Sequence, residues 1–149
     1  MTICYKEMVR SVSSNQDDII NGILKLHCPN GIELDPTYSK GYFYKNIPQP
    51  KYKFDLFPKS PDVHQANCTE LPFEDNAVES IMFDPPFLGG RTKNAKCDGI
   101  MHKRFYSYPS IEALWKMYKD ALTEFYRILK DDGILIFKCQ DCPLLSVQS

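Results

Sequence analysis

In the stretch VESIMFDPPF, residues 78–87, an apolar run meets an aspartate, two prolines and an aromatic residue. Residues 78–83 predict a short, mostly buried strand. Pro85 and Pro86 cannot extend that strand, because proline lacks an N–H group and has a fixed φ angle. The chain must therefore leave the sheet at Asp84 in a rigid turn, and α/β proteins present chemical groups at such strand ends. Asp-Pro also opens ordinary turns, so the surrounding sequence has to distinguish the two interpretations.

Two amphipathic segments predict helices. Residues 15–27 carry acidic residues in the first turn and an apolar stripe, and Ser14 or Asn15 is the candidate N-cap. A longer helix begins after Ser110 and is predicted to end at residues 131–133, where two aspartates precede a glycine.

Short apolar segments between the helices predict strands. The predicted strands are 32–34, 52–57, 78–83 and 134–137. The apolar residues of the longer helix, including Trp115, are predicted to pack in the core. The alternation of helices and strands indicates an α/β fold with a mostly parallel sheet and flanking helices.

Length and composition limit the class of protein to which the chain can belong. The 149 residues fit a single domain, 1–149, with 43% hydrophobic and 25% charged residues. The net charge of −1 argues against a broad basic face, so nucleic-acid binding would need a local patch. No apolar run approaches the ~18 residues of a membrane span, and the start of the chain lacks a signal pattern. We therefore expect a cytoplasmic protein.

The six cysteines are scattered rather than arranged as a framework, which favours reduced thiols in a chain without an export signal. Cys139 and Cys142 have the spacing of a metal or redox pair. A zinc site would need a second pair, and His27-Cys28 alone offers one. We therefore predict no metal site.

The segments 66–88 (ANCTELPFEDNAVESIMFDPPFL) and 125–141 (FYRILKDDGILIFKCQD) together resemble S-adenosylmethionine-dependent amino-methyltransferases, above all small phage-type DNA methylases. The tetrad 84–87 is similar to the signature of enzymes that act on exocyclic amino groups of adenine or cytosine. The resemblance runs from about residue 30 to residue 141 and implies a Rossmann-like methyltransferase sheet. This family adds two strands after the position of Lys138, where eleven residues follow here, so we expect a sheet without those terminal strands.

The resemblance implies a catalytic role for each residue of the tetrad. The Asp84 carboxylate and the Pro85 carbonyl would accept hydrogen bonds from the target amino group, which localises its nitrogen lone pair and positions it for attack on a methyl group. Pro85 and Pro86 together fix the direction of that carbonyl. Phe87 would stack on the target base, which must be flipped out of a duplex.

The resemblance also implies where S-adenosylmethionine binds. The first loop, residues 35–41, would lie under the methionine moiety, an acid after the second strand would hold the ribose, and the segment after the third strand would contact the adenine. The implied cofactor-binding residues are Asp35, Thr37, Gly41, Asp55, Asn67, Thr69 and Leu71. Two alternatives stay open: Asp55 as a solvated charge, and Asn67 as the cap of a turn.

The basic segment 91–104 is the candidate contact to DNA. It contains five basic residues and one acid, Asp98, and directly follows the tetrad, where it could hold phosphates near a flipped base. The candidate nucleic-acid-binding residues are Arg91, Lys93, Lys96, Lys103 and Arg104. A solvated loop is the alternative interpretation.

We therefore expect methyl transfer from S-adenosylmethionine to an exocyclic amino group of a DNA base. Two alternatives remain: an amino-methyltransferase for RNA or protein glutamine, and an inactive, truncated methylase remnant. A dinucleotide-dependent oxidoreductase is disfavoured, because no G-x-G-x-x-G motif follows a predicted strand. Missing terminal strands would expose a sheet edge, so a homodimer is also expected.

Overall fold

A computed structural model of the chain describes Val9, residues 12–86 and residues 110–139. The predictions for Phe87 and for the basic segment 91–104 lie outside these residues. The described residues form an α/β fold with two α-helices and a five-stranded, all-parallel sheet. No helix among them is both long and apolar enough to cross a membrane.

The helices and strands have the following bounds. The α-helices are α1 (Gln16–His27) and α2 (Ile111–Ile128), and a 3₁₀ helix spans Tyr42–Tyr44. The strands are β1 (Leu34–Asp35), β2 (Tyr52–Asp55), β3 (His64–Gln65), β4 (Val78–Phe83) and β5 (Leu129–Phe137). The predicted bounds of β4 are confirmed.

The strands follow the spatial order β3–β2–β1–β4–β5. β1 lies between β2 and β4, with Leu34 paired to Tyr52 on one side and to Ile81 on the other. Along the chain, β2 and β3 are added on one side of β1, and β4 and β5 are then added on its other side. The strand order therefore reverses between β1 and β4. Because crossover connections are right-handed, those on the two sides of β1 lie on opposite faces of the sheet.

Each face of the sheet has its own hydrophobic layer. On one face, α1 and the β1–β2 connection pack on Met82 and Ile136. On the other face, α2 covers β4, where the fully buried rings of Phe83 and Phe125 meet with centroids 4.8 Å apart. The two layers together cover both faces of β4, whose residues are all buried except Glu79.

Both predicted helix starts are confirmed. The side-chain oxygen of Asn15 accepts the N–H of Asp17 at 3.0 Å, and the hydroxyl of Ser110 accepts the N–H of Ala113 at 3.1 Å. These caps satisfy N–H groups that have no partner within the first helical turn.

The predicted end of α2 at residues 131–133 is wrong. The helix ends at Ile128, and β5 begins at once with Leu129, which pairs with Val78. Two residues further along β4 the partner is already Ile134, so the register shifts. The predicted turn residues form a bulge inside β5, where long-range pairing with β4 overrides the local turn signal.

The prediction that Trp115 packs in the core is also wrong, because its side chain is 60% exposed. Ile111 and Leu122 on the same helix are exposed as well. The buried residues of α2 are Leu114, Met117, Tyr118, Ala121, Phe125 and Ile128. Each residue turns about 100° from the previous one, so the position after Leu114 points away from that face.

β2 ends at Asp55, two residues before the predicted end at residue 57. The Asp55 carboxylate accepts the N–H of Phe57 at 2.8 Å and so closes a tight turn directly after the strand.

Neighbouring aromatic residues of α2 provide a test of the packing. Phe125→Ala should lower the free energy of unfolding by about 3–5 kcal/mol, since it leaves a cavity against Phe83. Tyr126→Ala should change it by less than about 0.5 kcal/mol, because Tyr126 is 86% exposed. Urea unfolding of both variants, followed by circular dichroism, measures the difference. Equal losses would contradict the assigned inner face of α2.

Candidate functional site

The carboxyl ends of β1, β2 and β4 bring three predicted site residues to one edge of the sheet. Asp35 and Asp55 are the last residues of β1 and β2, and Asp84 directly follows β4. The strands are parallel and adjacent, so their ends share this edge. The structure therefore groups the three aspartates that the sequence singled out.

Asp84 is held through both its backbone and its side chain. Its N–H donates to the Thr37 hydroxyl at 3.2 Å. Its Oδ2 accepts from the Lys138 ammonium at 3.3 Å, and the carboxylate side chain is 25% exposed. Burial raises the pKa of Asp84, while the ammonium of Lys138 lowers it. The group is thus oriented by β1 and β5 but remains accessible from outside.

The two prolines fix the turn after Asp84. Pro85 is fully buried, and the carbonyl oxygen of Pro86 accepts a hydrogen bond from the Tyr118 hydroxyl at 3.0 Å. α2, which packs on one face of the sheet, therefore anchors this turn. The tetrad is described as far as Pro86, so the stacking role of Phe87 stays a prediction.

Asp35 lies beneath the site rather than on its surface. Its side chain is fully buried. Oδ1 accepts from the N–H of Thr37 at 2.7 Å and from its hydroxyl at 3.2 Å, and Oδ2 accepts from the Tyr44 hydroxyl at 2.6 Å. Thr37 therefore connects Asp35 to the N–H of Asp84. These bonds use both oxygens within the chain, and the proposed cofactor contacts of Asp35 and Thr37 stay predictions.

Burial raises the pKa of Asp35 to about 7. The hydrogen bonds from Tyr44 and Thr37 act in the opposite direction, and the nearby charge of Asp84 adds a further increase. Burial likewise raises the pKa of Tyr44, with Asp35 as the next cause, so this phenol stays protonated and donates.

The first loop keeps its shape through one glycine. Gly41 has φ +68°, and a Cβ atom there would lie 2.3 Å from the Tyr38 hydroxyl oxygen. Tyr38 stacks on Tyr44 with ring centroids 5.5 Å apart, and its hydroxyl donates to Gln49. Gly41 is therefore required by backbone geometry and by the packing of Tyr38. A direct contact to a cofactor stays a prediction.

Asp55 presents the best-placed acceptor for a ligand. One oxygen accepts the N–H of Ser39 and the other the N–H of Phe57, both at 2.8 Å. A carboxylate has about four lone-pair sites, so each oxygen can accept one bond more. The next residues, Leu56 and Phe57, are 37% and 49% exposed and form an apolar surface beside the carboxylate.

The segment after β3 only partly matches the predicted adenine contact. The Asn67 side-chain oxygen accepts the N–H of Thr69 at 3.1 Å, so it caps a turn, which is the alternative interpretation. Asn67 is exposed and Thr69 is half-buried. Leu71 is 4% exposed and belongs to the core beneath α2, so its side chain does not line an open surface.

Three residues of the site were missed by sequence reasoning: Tyr44, Tyr118 and Lys138. Lys138 had a usable signal, because it directly follows a strand that is parallel and adjacent to β4. Tyr44 and Tyr118 lie in a 3₁₀ helix and in α2, and no local pattern connects them to the strand ends.

No protein-family model, curated protein or solved structure matches the chain. Within residues 12–86 and 110–139, no cluster of three or more His, Cys, Asp or Glu side chains could hold a metal ion. An open hollow of about 470 Å³ is lined by Tyr52, Phe54, His64, Gln65, Pro72 and Phe73. None of the predicted site residues lines this hollow, so chemistry and geometry, rather than concavity, define the candidate site.

Replacing the buried carboxyl group of Asp35 should change how the free energy of unfolding depends on pH. The folded chain keeps the Asp35 proton between about pH 4 and the folded pKa of about 7, whereas the unfolded chain loses it near 3.8. The contribution of Asp35 to the free energy of unfolding therefore falls as pH rises through this window. Asp35→Asn should gain stability relative to wild type over the same range.

Urea unfolding at several pH values between about 4.5 and 7.5 measures this difference. Asp120→Asn is the control, because Asp120 lies on the exposed face of α2. A constant difference between wild type and Asp35→Asn across the range would contradict the raised pKa of Asp35.

Proposed function

We propose that the chain is an S-adenosylmethionine-dependent amino-methyltransferase that acts on an exocyclic amino group of adenine or cytosine in DNA. One observation carries the proposal: the Asp84-Pro85-Pro86 turn leaves β4 where the strand order reverses, and Thr37 ties it to the loop after β1. Open α/β sheets bind ligands in the crevice at this reversal, outside the carboxyl ends of the strands.

The topology supports this class of protein. The order β3–β2–β1–β4–β5 is that of five consecutive strands of a Rossmann-like sheet. The missing long helix between β1 and β2 is replaced by a 3₁₀ turn, Tyr42–Tyr44, that still packs on the sheet. Similar sheets support many chemistries, so the function has to be inferred from the residues of the site.

The residues after β2 fit the nucleoside half of S-adenosylmethionine. Asp55 keeps acceptor capacity on both oxygens, which suits two ribose hydroxyls, and the exposed Leu56 and Phe57 suit an apolar ring. A bound S-adenosylmethionine would supply an electrophilic sulfonium methyl group, and the product S-adenosylhomocysteine would retain the electron pair of the broken C–S bond.

Asp84 and Pro85 suit the amino group that receives this methyl. The lone pair of a base amino group is delocalised into the ring, and hydrogen bonds from its two N–H groups to the Asp84 carboxylate and the Pro85 carbonyl localise it. The nitrogen then forms the new C–N bond and loses one proton. Asp84 or water accepts that proton, because methylation makes the amine strongly acidic.

A DNA substrate requires a base that is flipped out of the duplex. Stacking by Phe87 and phosphate contacts by the basic segment 91–104 remain predictions of this proposal. The same amino chemistry would serve RNA bases and protein glutamine, so the substrate panel of the test includes all three.

Calorimetric titration with S-adenosylhomocysteine tests the cofactor site. Wild type should bind saturably, and Asp55→Ala should weaken binding about tenfold or more, since it removes a charged acceptor. Asp84→Asn should bind within about twofold of wild type. The absence of binding to a folded wild-type chain would contradict the proposal and favour an inactive remnant.

Methyl transfer to duplex DNA, tRNA and protein tests the reaction. Asp84→Asn keeps the shape of the side chain but loses the charge and half of the acceptor capacity, so transfer should fall by about 10²-fold or more. Asp120→Asn should transfer at the wild-type rate. Transfer to tRNA or protein alone would contradict DNA as the substrate, and full activity of Asp84→Asn would contradict the role of Asp84.

A further inference from the structure

We infer that Lys138 is a positioning residue for Asp84: its ammonium group binds one carboxylate oxygen and leaves the other oxygen to the amino group of the substrate. The inference rests on the proposed function, since it assigns a role within the same site. Lys138 received no role from its sequence pattern, and its place follows from three independent contacts.

The backbone places Lys138 beside Asp84. The last pair of β4 and β5 is Phe83 with Phe137, and the N–H of Lys138 donates to the carbonyl of Phe83 at 2.9 Å. Lys138 and Asp84 are therefore the next residues of two hydrogen-bonded, parallel strands. The Nζ atom of Lys138 then lies 3.3 Å from Oδ2 of Asp84. The register of the sheet therefore brings the two side chains within reach of each other.

The ammonium group of Lys138 also contacts an aromatic ring. Nζ of Lys138 is 5.6 Å from the centroid of the Phe43 ring, within the range of a cation–π contact. Phe43 is itself packed against Tyr44, with ring centroids 5.1 Å apart. The ammonium group thus contacts both an aromatic ring of the β1–β2 connection and the carboxylate after β4.

The carboxylate keeps one oxygen for another donor. Oδ2 of Asp84 accepts from Lys138, whereas Oδ1 has no hydrogen-bond partner among the described residues. The side chain is 25% exposed, so a ligand can reach it. An ionised carboxylate only accepts hydrogen bonds, but a protonated one also donates, and the amino group offers donors too. The ionised form of Asp84 therefore suits this role better than the protonated form.

Lys138 opposes the effect of burial, which favours protonation of Asp84. The titratable groups around Asp84 are Asp35 after β1, Tyr44 in the 3₁₀ helix, Tyr118 of α2 through the Pro86 carbonyl, and Lys138 after β5. Burial raises the pKa of Asp84. Among these groups Lys138 is the cation, and it lowers the pKa of Asp84.

The test follows the side-chain carboxyl carbon of Asp84 by NMR as a function of pH, in the full chain without cofactor. Lys138→Met removes the ammonium group and keeps an unbranched apolar side chain, whereas Lys138→Arg keeps the cation. Lys130→Met is the control, because Lys130 lies on β5, the strand that Lys138 directly follows, and pairs with Glu79 at 2.8 Å. Lys138→Gln replaces the methionine variant if that variant does not fold.

We expect the Asp84 midpoint to move to higher pH in Lys138→Met and to stay near wild type in Lys138→Arg and Lys130→Met. In methyl transfer, Lys138→Met should lower kcat about tenfold at neutral pH, move the acid limb of the pH–rate profile upward, and leave KM for the cofactor within about twofold. Lys138→Arg should restore the wild-type profile.

An unchanged Asp84 midpoint in Lys138→Met would overturn the inference, whatever the enzyme activity. A wild-type chain that transfers no methyl group would instead overturn the proposed function, and the NMR titration would still decide whether Lys138 controls Asp84. A shifted midpoint with unchanged kcat would also overturn the positioning role, because the ion pair would then be structural only.

Discussion

The parallel pairing of β1 with β4 is the constraint on which the site depends. Leu34 pairs with Ile81, so the loop after β1 and the turn after β4 begin at the same edge of the sheet. The Thr37 hydroxyl then lies 3.2 Å from Oδ1 of Asp35 and 3.2 Å from the N–H of Asp84. The turn after β4 therefore cannot move away from β1 without losing that hydrogen bond.

This arrangement brings two carboxyl groups close together, and the chain stabilises each in a different way. Asp35 is buried, receives hydrogen bonds from Tyr44 and Thr37, and has its pKa raised to about 7. Asp84 stays partly exposed and is paired with Lys138. Like charges at short range disfavour double ionisation, so the carboxyl group without a cation is the one that retains its proton to higher pH. Asp35 is thus part of the framework, whereas Asp84 is the partly exposed carboxylate beside a cation.

The elements that were predicted correctly carry signals that tertiary structure reinforces. β4 is apolar at four of its six positions, and both helices follow residues whose side chains cap the first turn. The errors have long-range causes. The local turn signal at 131–133 did not end the helix there, because these residues belong to β5, which pairs with β4. Trp115 is apolar but lies outside the buried face of α2. β3 consists of two exposed residues, so no apolar pattern could indicate it.

The same distinction separates the site residues. Positions that end or directly follow a strand, such as Asp55 and Asp84, can be placed once the sheet is assumed to be parallel, because topology fixes where strands end. Positions further along a loop depend on side-chain packing, and there the local sequence was ambiguous: Asn67 caps a turn and Leu71 enters the core. Lys138 belongs to the first group, since β5 ends beside β4. Opposite charges at the ends of neighbouring strands would therefore have indicated the pair of Lys138 and Asp84, because the register of β4 and β5 places the two residues side by side.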